Sequence, residues 1–203
     1  MSWLDLFLNP SKFLNINKDI GYPIPLLLIF TATSLSTVGA IITAPISAKL
    51  IESNLIGSGL PEEQLETILS LIHFLSIIGP PIGLIVSWIV LVALLYGLSI
   101  PFGGTGEFSR LLKLTTFSFL PFIILYPINF YINFEILKGL SSHLNVSILK
   151  FSSLIVLIST CAWQYIYLVF AVKVARNLTL KNSCIVCSVP ILIYITLAFL
   201  QLL

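Results

Sequence analysis

The sequence predicts an all-α, polytopic membrane protein: a bundle of five transmembrane helices, with a short interfacial helix at the N-terminus and an extra helix between the first and second spans. Three observations lead there. The 203 residues are 58% hydrophobic and only 9% charged, whereas soluble domains carry roughly a quarter charged residues. Apolar runs of about twenty residues recur along the chain, each long enough to cross about 30 Å of hydrocarbon. Every Asp and Glu falls near the end of such a run or in a loop. A bilayer as solvent removes the need for the polar cover that this composition cannot supply.

The elements follow in order. Trp3, Leu4, Phe7 and Leu8 share one side of a helical projection, the pattern of a short amphipathic helix lying in the interface; a tail without fixed structure is the alternative. Residues 1–22 are mixed and broken by Asn9-Pro10, so no cleavable signal is evident, and the first apolar run is expected to remain as an anchor. The first span covers about residues 24–46. Within it Ala32, Ser36, Ala40 and Ala44 repeat every four residues, a stripe of small side chains against which another backbone can pack closely.

After a loop with Gly57 and Gly59, Pro61 and the acids Glu62, Glu63 and Glu66 mark a helix N-terminus. That helix either lies at the surface or forms one arm of a long kinked second span. The second span proper covers about residues 80–101, with Gly79, Gly83 and Ser87 again spaced by four. The third covers about 111–134 and is expected to kink, because Pro121 and Pro127 each free a carbonyl four residues back. The fourth and fifth cover about 148–172 and 184–203. With the N-terminus in the cytoplasm, that side holds Lys12, Lys18, Arg110, Lys113, Lys173, Arg176 and Lys181, and the other only Lys49, Lys138 and Lys150. The positive-inside rule therefore predicts an N-in, C-out chain.

Chemistry has few places to reside. The net charge of +2 and the lack of a basic stripe argue against nucleic acid. Cys184 and Cys187 form a CxxC, but four-ligand zinc needs two more Cys or His, and His73 and His143 are far away in sequence. No metal, cofactor or catalytic group is expected, since no zincin, nucleophile-elbow or carboxylate-pair pattern is present. Gly103, Gly104 and Gly106 flank Thr105 in a glycine-rich loop. Lacking the Lys-Ser/Thr end and preceding strand of a nucleotide loop, it is expected to be a tight turn, with a lipid headgroup contact as the sharper alternative. Asn129, Asn133 and Gln164 are polar groups inside apolar spans and are expected to bond between helices.

Several of these features fall in a familiar order. Asn9-Pro10 and Phe13 precede one span, then an acidic loop and helix, then four tightly linked spans. Leu95-Tyr96-Gly97 is followed by Gly103-Gly104-Thr105-Gly106-Glu107-Phe108, Leu111-Leu112-Lys113-Leu114 and Phe119-Leu120-Pro121. The fourth span carries Trp163 and ends in Arg176-Asn177-Leu178-Thr179-Leu180-Lys181-Asn182-Ser183. In this the chain resembles the Yip domain family, named for Ypt/Rab-interacting proteins, over nearly its whole length. The resemblance implies five spans and a cytoplasmic N-terminus. Eukaryotic relatives are associated with Rab GTPases and vesicle traffic and carry a longer cytosolic N-terminal region. With about 23 residues ahead of the first span, this chain looks more like the short prokaryotic members of a cell membrane.

The function expected is that of a non-enzymatic membrane scaffold or adaptor. Its partners would be membrane lipids and either a protein partner or a second copy of itself. One alternative is a small permease or channel component, motivated by the kinked third span and the polar Asn129, Asn133 and Gln164; another is a lipid-handling protein using the interfacial helix and the glycine turn.

Overall fold

The computed structural model describes residues 6–7, 9–55, 62–141 and 146–200, and among them the regular structure is helical. Trp3, Leu4, Leu8, the Gly57 and Gly59 loop, Pro61 and His143 lie outside the described residues. The elements are α1 (Pro10–Ile16), α2 (Pro23–Leu55), α3 (Glu62–Ser99), α4 (Phe108–Thr115), a 3-10 turn (Thr116–Ser118), α5 (Phe119–Ser141), α6 (Ser147–Arg176) and α7 (Leu180–Leu200). Five stretches are long and apolar enough to cross a bilayer: Pro23–Glu52, Gln64–Ser99, Phe108–Leu140, Ser147–Arg176 and Leu180–Leu197. The chain is a multi-pass integral membrane protein.

The open question about the second span has a clear answer. The helix that begins at Glu62 runs without a break to Ser99, so the segment after Pro61 is an arm of the span itself. Pro80 and Pro81 sit inside it and deprive the carbonyls of Ser76 and Ile77 of their usual donors. The remaining backbone groups still favour a helix, because hydrocarbon offers them no other partner. At 1.5 Å per residue, its 38 residues exceed a hydrocarbon core of about 30 Å, which leaves room for the acidic first turns beyond the apolar layer.

The third span is interrupted upstream of Pro121. Residues Thr116–Ser118 tighten into a 3-10 turn, and Pro121 then occupies the first turn of α5, where its missing N–H costs no helical bond. Three hydroxyls stabilise the break by bonding to carbonyls three residues back. Thr115 donates to Leu112 O at 3.0 Å, Thr116 to Lys113 O at 2.7 Å and Ser118 to Thr115 O at 2.7 Å. Pro127 lies within α5.

The residues group into two compact units. The first comprises Met1–Ala32, Val86–Ile124 and Ile158–Leu203. Its interior is a continuous apolar core that includes Leu14, Val92, Leu95, Leu114, Phe117 and Val172, all completely buried. Trp88 reaches into this core and donates its indole N–H to Thr115 Oγ1 at 3.2 Å. At seven residues α1 is too short to be stable alone, so docking must hold it. Asn9 caps it, Phe13 and Leu14 are buried, and the Phe13 ring meets Phe117 edge-on at 5.4 Å. Ahead of it, the Leu6 carbonyl accepts a 2.8 Å bond from the Tyr167 hydroxyl.

The second unit comprises Thr33–Ile85 and Leu125–Leu157. Ala40, Ala44 and Val146 are buried in it. Tyr126, Phe130 and Phe134 stack along α5 with centroids 6.0 and 5.8 Å apart. Gly39 faces Tyr126 and Phe130 with no room for a side chain.

Candidate functional site: an arginine-locked turn

In the first unit, α3 and α6 both end in the same kind of cap. A helix often stops when one residue adopts the left-handed conformation and the next N–H reaches back to a free carbonyl. After α3 that residue is Gly103, with φ of 81°. Gly103 N–H bonds to Ile100 O at 3.0 Å, and Gly104 N–H to Ser99 O at 3.0 Å. After α6 it is Asn177, with φ of 54°, a residue type that tolerates this region better than most. Leu178 N–H then bonds to Lys173 O at 3.1 Å.

The two caps are tied together. Thr105 N–H donates to the Arg176 carbonyl at 3.1 Å, and Asn177 Nδ2 donates to Thr105 Oγ1 at 3.2 Å. The Arg176 side chain completes the lock. Its Nε donates to Ser99 Oγ at 2.8 Å and its Nη2 to Gly104 O at 2.7 Å. Ser99 Oγ itself donates to Tyr96 O at 2.6 Å, so this hydroxyl both donates and accepts. The guanidinium lies 4.0 Å from the Tyr96 ring centroid, and Phe108 meets the same Tyr96 ring edge-on at 5.5 Å. Only 2% of Arg176 is exposed, and among the described residues no carboxylate pairs with it. The positive charge is supported by neutral acceptors and a π face, the role for which a planar, weakly hydrated guanidinium is suited.

Two glycines are needed for the close approach. A Cβ on Gly106 would overlap the Ala175 carbonyl, and one on Gly104 would press on Ser99 and on Arg176 Nε. Four amides of the turn already have partners. Phe102, Gly103 and Gly104 donate to Ser99 and Ile100 carbonyls, and Thr105 donates to Arg176. Ile100, Pro101, Phe102, Thr105, Glu107 and Phe108 remain exposed on the outside of this braced turn.

A family profile described as the Yip1 domain matches residues 4–201, a range that includes both caps and the arginine. The chain belongs to the Yip1 domain family. Among curated proteins, it is similar to the uncharacterized protein MJ0794 of Methanocaldococcus jannaschii, with 26% identity over 126 residues, covering 61% of this chain and 82% of that protein. No solved structure matches it.

Within this Yip1 domain, the residues singled out from sequence are placed as follows. Gly103, Gly104 and Gly106 are brought together at the lock. Pro121 is buried in the first turn of α5. Ala32, Ala40 and Ala44 are buried and Ser36 is half-buried. Gly79 and Gly83 are exposed, and a Cβ added at either would have nothing within 4 Å. Gln164 is half-buried on α6. Asn133 Nδ2 bonds to the side-chain and backbone oxygens of Asn129 at 2.5 and 2.8 Å, along one helix and not between helices.

Sequence reasoning leaves Ser99 unmarked and, although Tyr96 and Arg176 fall in the motifs that carry the resemblance, it gives neither a structural role. Arg176 reads there as a loop cation, because hydropathy falls before the helix does. A usable signal is present nonetheless. Arg176 directly precedes an asparagine able to cap a helix, and a second left-handed candidate, Gly103, follows an earlier long apolar span by a few residues.

Proposed function

We propose that this Yip1-domain protein is a non-enzymatic membrane scaffold or adaptor that presents the Ile100–Phe108 turn to a protein partner. One observation carries the reading. The buried polar groups at this end of the first unit are engaged with one another in fixing a turn whose apolar and aromatic side chains remain exposed. A surface already ordered before binding loses little conformational entropy when a partner docks. Exposed Phe102 and Phe108 beside Pro101 supply the kind of rigid apolar anchors that dominate protein interfaces. In the N-in, C-out arrangement this turn faces the cytoplasm, where soluble partners are found. The permease alternative draws less support, since Asn133 donates to Asn129 along α5.

The test is photo-crosslinking in native membranes, with probes replacing Phe102 and Thr105 and a control probe at the exposed Ile128 of the second unit. A discrete protein adduct from the turn probes, absent from the control, is the expected result. Lipid adducts or self-crosslinks alone, in equal yield from all three positions, would sink the adaptor.

A further inference from the structure

Charge is unevenly shared between the two units. The first holds seven of the ten Lys and Arg but three of the eight Asp and Glu, and the second holds three and five. Within the first unit the excess is concentrated where the α1–α2 loop meets α4. Arg110 Nη2 donates to Asp19 Oδ1 at 2.9 Å. Three residues further along the same face of α4, the Lys113 ammonium lies 5.1 Å from the centroid of the Tyr22 ring. Arg110 thus pairs with the carboxylate, Lys113 faces a neutral ring, and Lys18 is exposed next to Asp19 in the chain.

That carboxylate does not exhaust them. The Arg110–Asp19 pair uses one recorded N–H, while a guanidinium carries five. A tyrosine face attracts the Lys113 ammonium without neutralising it. Among the described residues, no carboxylate pairs with Lys18. Glu107, the nearby acid in sequence, accepts a 3.2 Å bond from Ser109 Oγ. Arg110 also lies in the first turn of α4, where the helix dipole adds to the positive potential instead of offsetting it.

Position at the end of a span identifies the anion. Arg110 and Lys113 lie in the polar first segment of the helical run Phe108–Leu140, ahead of its apolar part. Tyr22 immediately precedes the first span, the position at which aromatic rings mark the membrane interface. Phosphodiester oxygens of lipid headgroups occupy that level, and the cations can reach them along their apolar stems.

We propose that Lys18, Arg110 and Lys113, with Tyr22 beside them, form a docking site for the headgroup phosphate of an anionic phospholipid. The inference relies on the chain being membrane-embedded and not on the adaptor reading, so it stands or falls separately from any protein partner at the turn.

Native mass spectrometry of the full chain, titrated with phosphatidylglycerol or phosphatidylcholine, tests it. The double variant Lys18→Gln/Lys113→Gln leaves the Arg110–Asp19 pair in place, and Lys138→Gln/Lys150→Gln in the second unit serves as control. Phosphatidylglycerol is expected to bind the native chain in preference to phosphatidylcholine. Losing both lysines should weaken that binding on the order of ten-fold or more, given about five-fold for each basic residue near an anionic surface. The control should bind as the native chain does, and millimolar inorganic phosphate should not displace the lipid. Equal binding of both lipids, an unaffected Lys18/Lys113 variant, an equal loss in the control, or full displacement by inorganic phosphate would each overturn the site. Circular dichroism and melting of both variants ensure that a loss is not unfolding.

Discussion

The two units differ in what holds them. The first contains the buried aromatic and aliphatic core, a buried guanidinium, a docked N-terminal helix and two helix caps bonded to each other. The second buries chiefly small residues, Ala40 and Ala44, and leaves Leu71, Phe74, Leu75, Ile82 and Ile85 exposed along α3. In water such a surface would be a liability. In hydrocarbon it costs nothing, because lipid tails are as apolar as the side chains and give helices no hydrophobic reason to associate. Helices in lipid are held where they pack closely or bond across a contact. By that measure the first unit is specified in detail, whereas the second relies on a few close approaches and on the bilayer.

If that contrast is right, the largest effect belongs to Arg176→Ala. It removes two donors and leaves the Ser99 hydroxyl and Gly104 carbonyl in a closed site, at a cost of roughly 2–4 kcal/mol. Thermal unfolding in mild detergent, followed by size-exclusion chromatography, should show a large fall in Tm. Arg176→Lys should recover only part of it, since an ammonium cannot reproduce the fork. A native Tm for both would mean that the lock contributes nothing.

Gly106→Ala should come next. The atom in its way is the Ala175 carbonyl, which belongs to a helix and cannot swing aside, so overpacking of about 1–3 kcal/mol is expected. The corresponding probe in the second unit is Gly39→Ala, which meets the Tyr126 hydroxyl and the Phe130 ring. Those are side-chain atoms on flexible stems, and the expected loss is smaller, about 1 kcal/mol. Melting the two variants side by side sharpens the comparison. A larger loss for Gly39→Ala would reverse it and place the more tightly specified packing in the second unit.

How much of this is legible in the sequence depends on the range of the interaction. Five spans can be read directly, because burial in lipid is a property of each helix alone. The 3-10 break is foreseeable only as a kink, since Pro121 announces a freed carbonyl but not that Thr115, Thr116 and Ser118 will stabilise the turn. Gly103, Gly104 and Gly106 stand out as a group, yet nothing local distinguishes them. Gly103 is needed for its left-handed φ, whereas Gly104 and Gly106 are needed because residues about 70 positions later pass close by. Arg176 is hidden for the same reason. Its partners Ser99 and Gly104 lie more than 70 residues away, and in one dimension it looks like any cation after an apolar run.

The smallest effect is expected at Gly79 and Gly83. Their four-residue spacing resembles a packing stripe, but both are exposed and a Cβ at either would meet no atom within 4 Å. Glycine inside a helix is less favourable than alanine by about 0.8–1.0 kcal/mol in water, and the penalty is smaller where the bilayer already enforces helix. Gly79→Ala and Gly83→Ala should therefore melt at or slightly above the native temperature, with unchanged elution. That result would leave α3's glycine face as lipid-facing surface, consistent with a second unit that depends on the bilayer. A lower Tm together with a shift to a smaller species would show instead that this face packs against another chain, and the contrast between the units would then hold only for the isolated protomer.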